Sequence, residues 1–298
     1  MKKRRIFLVV FMAVLGGAGL FFLARPPVVI VTDGAFLELY GQKRADTRRY
    51  ILSAILFRRV VFAVVSEEAG QDSAELVVNA AAKQPFLALF PERYLEGADR
   101  YAAAAGEASL ADKTRTVVVD GGEGGGVNIG RAESLRIDRE TDLYRAGMCA
   151  AILAKDGSVV VYYQDSLSNA YRAMLREGLV AAGYTKTPFF YRYSETASQT
   201  DIGCAVLLSA VNVNLLAEQM DVPMILFSWL DPEYTPNGVT VVFDDSLPAV
   251  AGQAAKNAAP LTAQARVLTK RVRVGSDLKA LQAAVRAERP LSSTGEGS

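Results

Sequence analysis

Two doubly wound parallel-sheet lobes of the α/β class, behind an N-terminal hydrophobic leader or anchor helix, are what this sequence predicts. Three observations lead there. From Val28 onward, short β-branched runs alternate with helical stretches, the mark of strand–helix–strand architecture. Residues 143–184 carry the pattern most fully: an almost wholly apolar helix, a buried strand at Val159–Tyr163, a polar tip at Gln164-Asp165-Ser166, and a long amphipathic helix. The length, 298 residues, suits two domains of roughly 100–200 residues each.

The leader comes first. Lys2, Lys3, Arg4 and Arg5 precede an uncharged, mostly apolar run from Ile6 to Leu23, the charge order of a secretory signal. As a helix the run would be about 27 Å long, just enough for a bilayer core of ~30 Å. Gly16 and Ala18 offer a cleavage site, whereas the apolar residues Leu20–Leu23 beyond it favour an uncleaved anchor. Either outcome places the rest of the chain outside the cytoplasmic membrane. No cysteine lies near this segment, which excludes a lipid-anchored lipoprotein.

Val28–Thr32 reads as a continuous apolar strand ending at Asp33-Gly34, and Leu37–Phe57 as one helix. Val60–Val65 is the next strand, and Asp72–Lys83 a helix with Ala74, Val77, Val78 and Ala81 on one face. Phe86–Phe90, an Ala-rich helix at Glu92–Gly106 and a strand at Thr116–Val119 ending on Asp120 complete the first set. The glycine-rich stretch Gly121–Gly130 lacks G-x-G-x-x-G spacing and no helix follows it, so it reads as a crossover or hinge rather than a phosphate cradle.

Beyond it, Glu133–Ile137 reads as a strand, Asp142–Lys155 as a helix and Val159–Tyr163 as a strand. Leu167–Ala182 is an amphipathic helix whose N-cap falls at Asp165 or Ser166. Strands follow at Pro188–Tyr193, Ala205–Ser209, Pro223–Phe227 and Val239–Phe243, with a short helix at Val213–Met220. The last part holds a helix at Leu247–Asn257, a basic strand at Arg266–Val274 and a helix at Asp277–Arg286. Residues 1–27 are thus the leader, 28–130 the first lobe completed by 240–290, 131–239 the second lobe, and 291–298 a polar tail expected to be disordered.

Composition narrows the function. Lys+Arg number 33 against 32 Asp+Glu, without the clustered basic excess that nucleic-acid binding needs. Histidine is absent, which removes Ser-His-Asp catalysis and His-containing metal sites. Two cysteines, Cys149 and Cys204, are too few for a disulfide framework; they read as two buried thiols or as one disulfide in an oxidising compartment. Asp244-Asp245 reads as a brace at a crossover, because no ligands of metal spacing accompany it. No cofactor and no enzymatic activity are expected.

Three stretches carry a family resemblance: Val29–Gly34 (VIVTDG), Arg136–Ala151 (RIDRETDLYRAGMCAA) and Ser158–Gly183. They resemble the type I periplasmic binding protein fold, two Rossmann-like lobes that close over a ligand. Within it they are nearest to the basic membrane protein group of solute-binding proteins, which includes purine-nucleoside binders. The chain departs from that group after the first tip, where Ala35-Phe36-Leu37-Glu38 stands in place of a Lys-Ser-Phe-Asn run. It also departs at Phe227-Ser228-Trp229-Leu230-Asp231, and it has no lipid-attachment cysteine.

Open parallel sheets bind ligands outside the carboxyl ends of their strands. That rule nominates Asp33, Phe36, Glu67, Phe90 and Asp120 from the first lobe, and Gln164, Asp165, Ser209, Asn212, Ser228, Trp229 and Asp231 from the second. An aromatic plate ringed by carboxylates and amides suits a sugar or nucleoside. The expected function is extracytoplasmic capture of a small polar ligand between two lobes, for presentation to an ABC-type importer in the membrane of a bacterium. A membrane-tethered sensor or scaffold with a degenerate cleft is the alternative.

Overall fold

The computed structural model describes residues 17, 19–66, 73–107, 114–120, 131–163, 167–195, 197–198, 200–208, 222–227, 240–256, 261–263, 266–270 and 276–289. These fall into two compact units: 1–136 with 247–263, and 137–246 with 264–298.

In the first unit the strands are β1 (Val28–Asp33), β2 (Val60–Val65), β3 (Leu87–Pro91), β4 (Arg115–Asp120), β5 (Glu133–Ile137) and a late β11 (Leu261–Ala263). Their order across the sheet is β11-β5-β4-β3-β1-β2. All four pairings from β2 through β5 are parallel. Val28 to Val31 and Leu87 to Phe90 are fully buried, as runs of apolar residues covered on both faces must be. Helices α1 (Gly34–Tyr40) and α2 (Gln42–Leu56) link β1 to β2. The single helix expected at Leu37–Phe57 is broken at Gly41, whose φ of 87° lies in the left-handed region that glycine tolerates. Helices α3 (Ser73–Ala81) and α4 (Leu95–Glu107) follow β2 and β3. Helix α7 (Leu247–Lys256) returns to this unit, with Pro248 and Ala249 accepting hydrogen bonds from Arg48 on α2.

The second unit holds β6 (Ser158–Tyr163), β7 (Phe189–Arg192), β8 (Ile202–Leu207), β9 (Met224–Phe227), β10 (Thr240–Asp244) and β12 (Arg266–Lys270), in the order β12-β10-β9-β8-β6-β7. The five strands from β7 to β10 are parallel, and β12 is antiparallel at the edge. Helix α5 (Arg139–Ala154) is buried along most of its length. It crosses α6 (Asn169–Ala181) so closely that a Cβ on Gly147 would lie 2.2 Å from the Leu175 carbonyl oxygen, and one on Gly178 1.9 Å from that of Tyr144. Helix α8 (Ser276–Ala284) also packs on α5, and Arg145 donates from Nε to the Ala287 carbonyl at 2.8 Å.

Both sheets share the same doubly wound order, with the first strand of each flanked by the second on one side and the third on the other. The segment expected to complete the first lobe is divided: Leu247–Ala263 belongs to the first unit, whereas β10, β12 and α8 belong to the second. The chain passes between units at 136/137, 246/247 and 263/264. The glycine-rich stretch, the helix expected at 213–220, the tail 291–298 and residues 1–16 of the leader lie outside the described residues. Among the described residues no helix is long and apolar enough to cross a membrane.

Candidate ligand site at the strand tips

In a sheet of this winding the topological switch point lies between the first and third strands, where chains leave in opposite directions and open a crevice at the carboxyl ends. In the first unit that point is the β1/β3 boundary, so the tips are Asp33 and the turn after Pro91. Asp33 closes a fully buried strand and is itself only 9% exposed. Its Oδ1 accepts the Phe36 backbone N–H at 2.7 Å, capping α1. Its Oδ2 pairs with the Arg93 guanidinium and lies 3.5 Å from the Tyr94 hydroxyl, which donates to it.

Arg93 and Tyr94 belong to the 3₁₀ turn Glu92–Tyr94 that follows β3. Arg93 is half exposed and lies over the Tyr94 ring at 5.3 Å. Burial pushes the Tyr94 phenol above its usual pKa; the Arg93 guanidinium opposes that rise, and the Asp33 carboxylate adds to it. The tip therefore brings a carboxylate, a guanidinium and a phenol into contact. Such a set can accept from and donate to a polyhydroxylated ligand. Beneath it the Thr32 hydroxyl is buried without a hydrogen-bond partner among the described residues.

The nominated residues meet different fates. Asp33 and Phe36 come together at this tip, Phe36 half-buried in the first turn of α1. Phe90 is fully buried, its ring 6.1 Å from that of Tyr101 on α4. It packs the core, because both faces of β3 are covered and Leu87 to Phe90 are all buried. Asp120 ends β4, one strand away from the switch point. Glu67, Gln164, Asp165, Ser209, Asn212, Ser228, Trp229 and Asp231 lie outside the described residues. Sequence reasoning missed Arg93 and Tyr94, since it treated Glu92 onward as a continuous helix. Their signal was position: the second and third residues beyond an apolar strand.

In the second unit the corresponding boundary lies between β6 and β8. Tyr163 ends β6, and the Arg172 guanidinium lies 5.2 Å from its ring and donates to its hydroxyl at 3.3 Å. The cap of α6 is Ser168, accepting from the Tyr171 N–H at 3.2 Å, in place of the expected Asp165 or Ser166. At the far end of β10, Asp244 Oδ1 accepts from the Ser246 hydroxyl at 2.6 Å and from its N–H at 3.2 Å. Asp245, almost fully buried, pairs with Arg139 at the start of α5. Among the described residues no His, Cys, Asp or Glu cluster could hold a metal ion.

No family model matches the chain, and no curated protein matches it. Solved structures do. An ABC transporter solute-binding protein from Conexibacter woesei aligns over 88% of this chain and 95% of its own, with 13% identity and a TM-score of 0.56. A transcriptional activator of the comK gene from Bacillus halodurans aligns over 78% and 81%, with 13% identity and a TM-score of 0.51. The two parallel-sheet α/β lobes of this chain match the type I periplasmic binding protein fold.

Proposed function

We propose that this protein is an extracytoplasmic solute-binding protein that takes a small polar ligand, a sugar or nucleoside, at the strand tips of its two units and hands it to an ABC-type importer. Hinge closure would do the work, with no bond made or broken. The observation that carries the reading is the Asp33–Arg93–Tyr94 cluster at the β1/β3 switch point. The export-type leader supports it, as does the solute-binding protein from Conexibacter woesei among the structural matches.

A thermal-shift screen of the full chain against sugars, nucleosides and amino acids tests this. A bound ligand at a hundred times its Kd stabilises by about 2.7 kcal/mol, so a clear rise in Tm is expected with one class. Arg93→Ala should abolish that rise while leaving the chain folded. No rise with any class from a folded sample overturns the proposal.

One observation favours a second reading, a tethered sensor or scaffold with a degenerate cleft. Both Asp33 oxygens are already engaged, by the α1 cap and by Arg93 and Tyr94. A silent ligand screen together with a stable fold would be its signature.

A further inference from the structure

Among the described residues, seven of the eleven large apolar side chains left exposed belong to one neighbourhood: Leu20, Phe21, Leu23, Tyr50, Ile51, Ile55 and Phe57. Tyr50, Ile51 and Ile55 form the outward face of α2, with Tyr50 66% and Ile55 56% exposed. Phe57 ends that helix with a φ of 50°, a left-handed conformation that costs a bulky residue free energy, and the residue is still 43% exposed. Residues 19–24 are helical and continue the apolar run from Ile6. They dock here: the Phe21 and Phe22 rings lie 6.2 and 5.8 Å from that of Phe57, and Arg25 donates to the Phe57 carbonyl at 3.4 Å.

The same neighbourhood is basic. Residues 41–60 hold Lys43, Arg44, Arg48, Arg49, Arg58 and Arg59 against one acid, Asp46. Arg48 is turned inward to α7 and Asp46 pairs with Arg49. Lys43 and Arg59 are exposed, and Arg25 and Arg58 border the apolar side chains. The Arg58 guanidinium lies 4.0 Å from the Phe86 ring and donates to the Pro26 carbonyl at 3.0 Å. Phe57, Arg58 and Arg59 precede β2, and Arg25 precedes β1, so this is the end of the sheet opposite the Asp33 tip.

We propose that this face is a membrane-docking surface that seats the first unit on an anionic phospholipid bilayer, with Tyr50, Ile51, Ile55 and Phe57 at the headgroup boundary and Arg25, Arg58 and Arg59 on lipid phosphates. The inference rests on the leader acting as an uncleaved anchor. That anchor enters the fold at this patch, which fixes the bilayer as the occupant. Aromatic and aliphatic side chains bordered by basic ones are what interfacial surfaces use. Docking here leaves the Asp33 tip of the first unit facing away from the lipid.

The test is amide hydrogen exchange of residues 47–59 in the full chain, held in nanodiscs of phosphatidylcholine alone or with roughly a third phosphatidylglycerol. Protection is expected only in the anionic discs, weakening as salt is raised. Arg58→Gln and Arg59→Gln should each lower the docking constant about fivefold, the effect of one base near an anionic surface. Ile51→Gln with Ile55→Gln should remove the protection with the far-UV spectrum unchanged. Equal exchange in both discs overturns the proposal, as does protection that appears in detergent and grows with protein concentration, which would make the face a contact between copies. A chain retained by neither disc removes the anchor and the docking together. None of these readouts involves a solute, so the ligand screen fails or succeeds independently.

Discussion

Cys149 on α5 and Cys204 on β8 are both free and fully buried in the core of the second unit. Burial pushes the Cys149 thiol up to about 12, against the pull of Arg145, and raises Cys204 further, its neighbour Cys149 adding to the effect. Both thiols should therefore resist a disulfide-exchange reagent at pH 8 and titrate fully only in denaturant. In the unfolded chain a thiol ionises near 8.5. Above that pH the folded state holds the extra protons, so stability is full below about pH 8.5 and falls as pH rises toward 12. A flat alkaline limb in urea midpoints between pH 8.5 and 10.5 would contradict the burial. The Thr32 hydroxyl makes a complementary prediction. It is buried without a partner among the described residues, and an unsatisfied hydroxyl costs about 1–3 kcal/mol. Thr32→Val should raise the urea midpoint, whereas an equal or lower one would show that the hydroxyl is satisfied. Both cysteines were readable as core residues from their apolar surroundings. The Asp33 tip was readable as well, but its partners were not, because a 3₁₀ turn and an α-helix start alike in sequence.

Element boundaries follow from local chemistry. Strand β5 and the apolar runs of β1, β6 and β9 stand within a residue or so of where β-branched composition puts them. Helix α5 begins three residues before the start expected at Asp142, because Asp138 caps it by accepting from the Thr141 N–H at 3.1 Å. Strand β11 escaped notice because three residues, Leu261–Ala263, carry too little pattern to separate from a loop. The α5/α6 crossing was equally hidden. Nothing in the local pattern says that Gly147 and Gly178 meet a neighbouring backbone. Gly178→Ala should cost about 1–3 kcal/mol or more, the range for forced overpacking, read as a lowered urea midpoint. Gly147→Ala on top of it should cost less than the sum, because both relieve or strain one contact. Tolerance of both substitutions would mean that the helices can part freely.

At the scale of the whole molecule, pattern assigns strands to a class of sheet but not to a particular sheet. Residues 240–244 are as apolar as any strand of the first unit, yet β10 pairs with β9, and β12 pairs with β10. Long-range pairing decides that allocation, and a single sequence does not display it. The two units have separate cores, so calorimetry should resolve more than one transition. The Arg139–Asp245 pair ties the entry of α5 to the exit of β10, two places where the chain is about to change units or has just done so. Arg139→Leu would strand a carboxylate that is 1% exposed, and breaking such a pair costs about 3–5 kcal/mol. The transition of the second unit alone should fall; an unchanged one would mean that Asp245 finds water or another donor.

Helix α7 has a consequence for biogenesis. The first unit is not contiguous: residues 247–263 return to it after the whole of β6–β10, and α7 covers β1 and β3 beside α2. The part of the sheet under α7 is therefore covered only once residues 247–256 have been made, whereas the core formed by β1–β4 with α3 and α4 draws on residues before 137 alone.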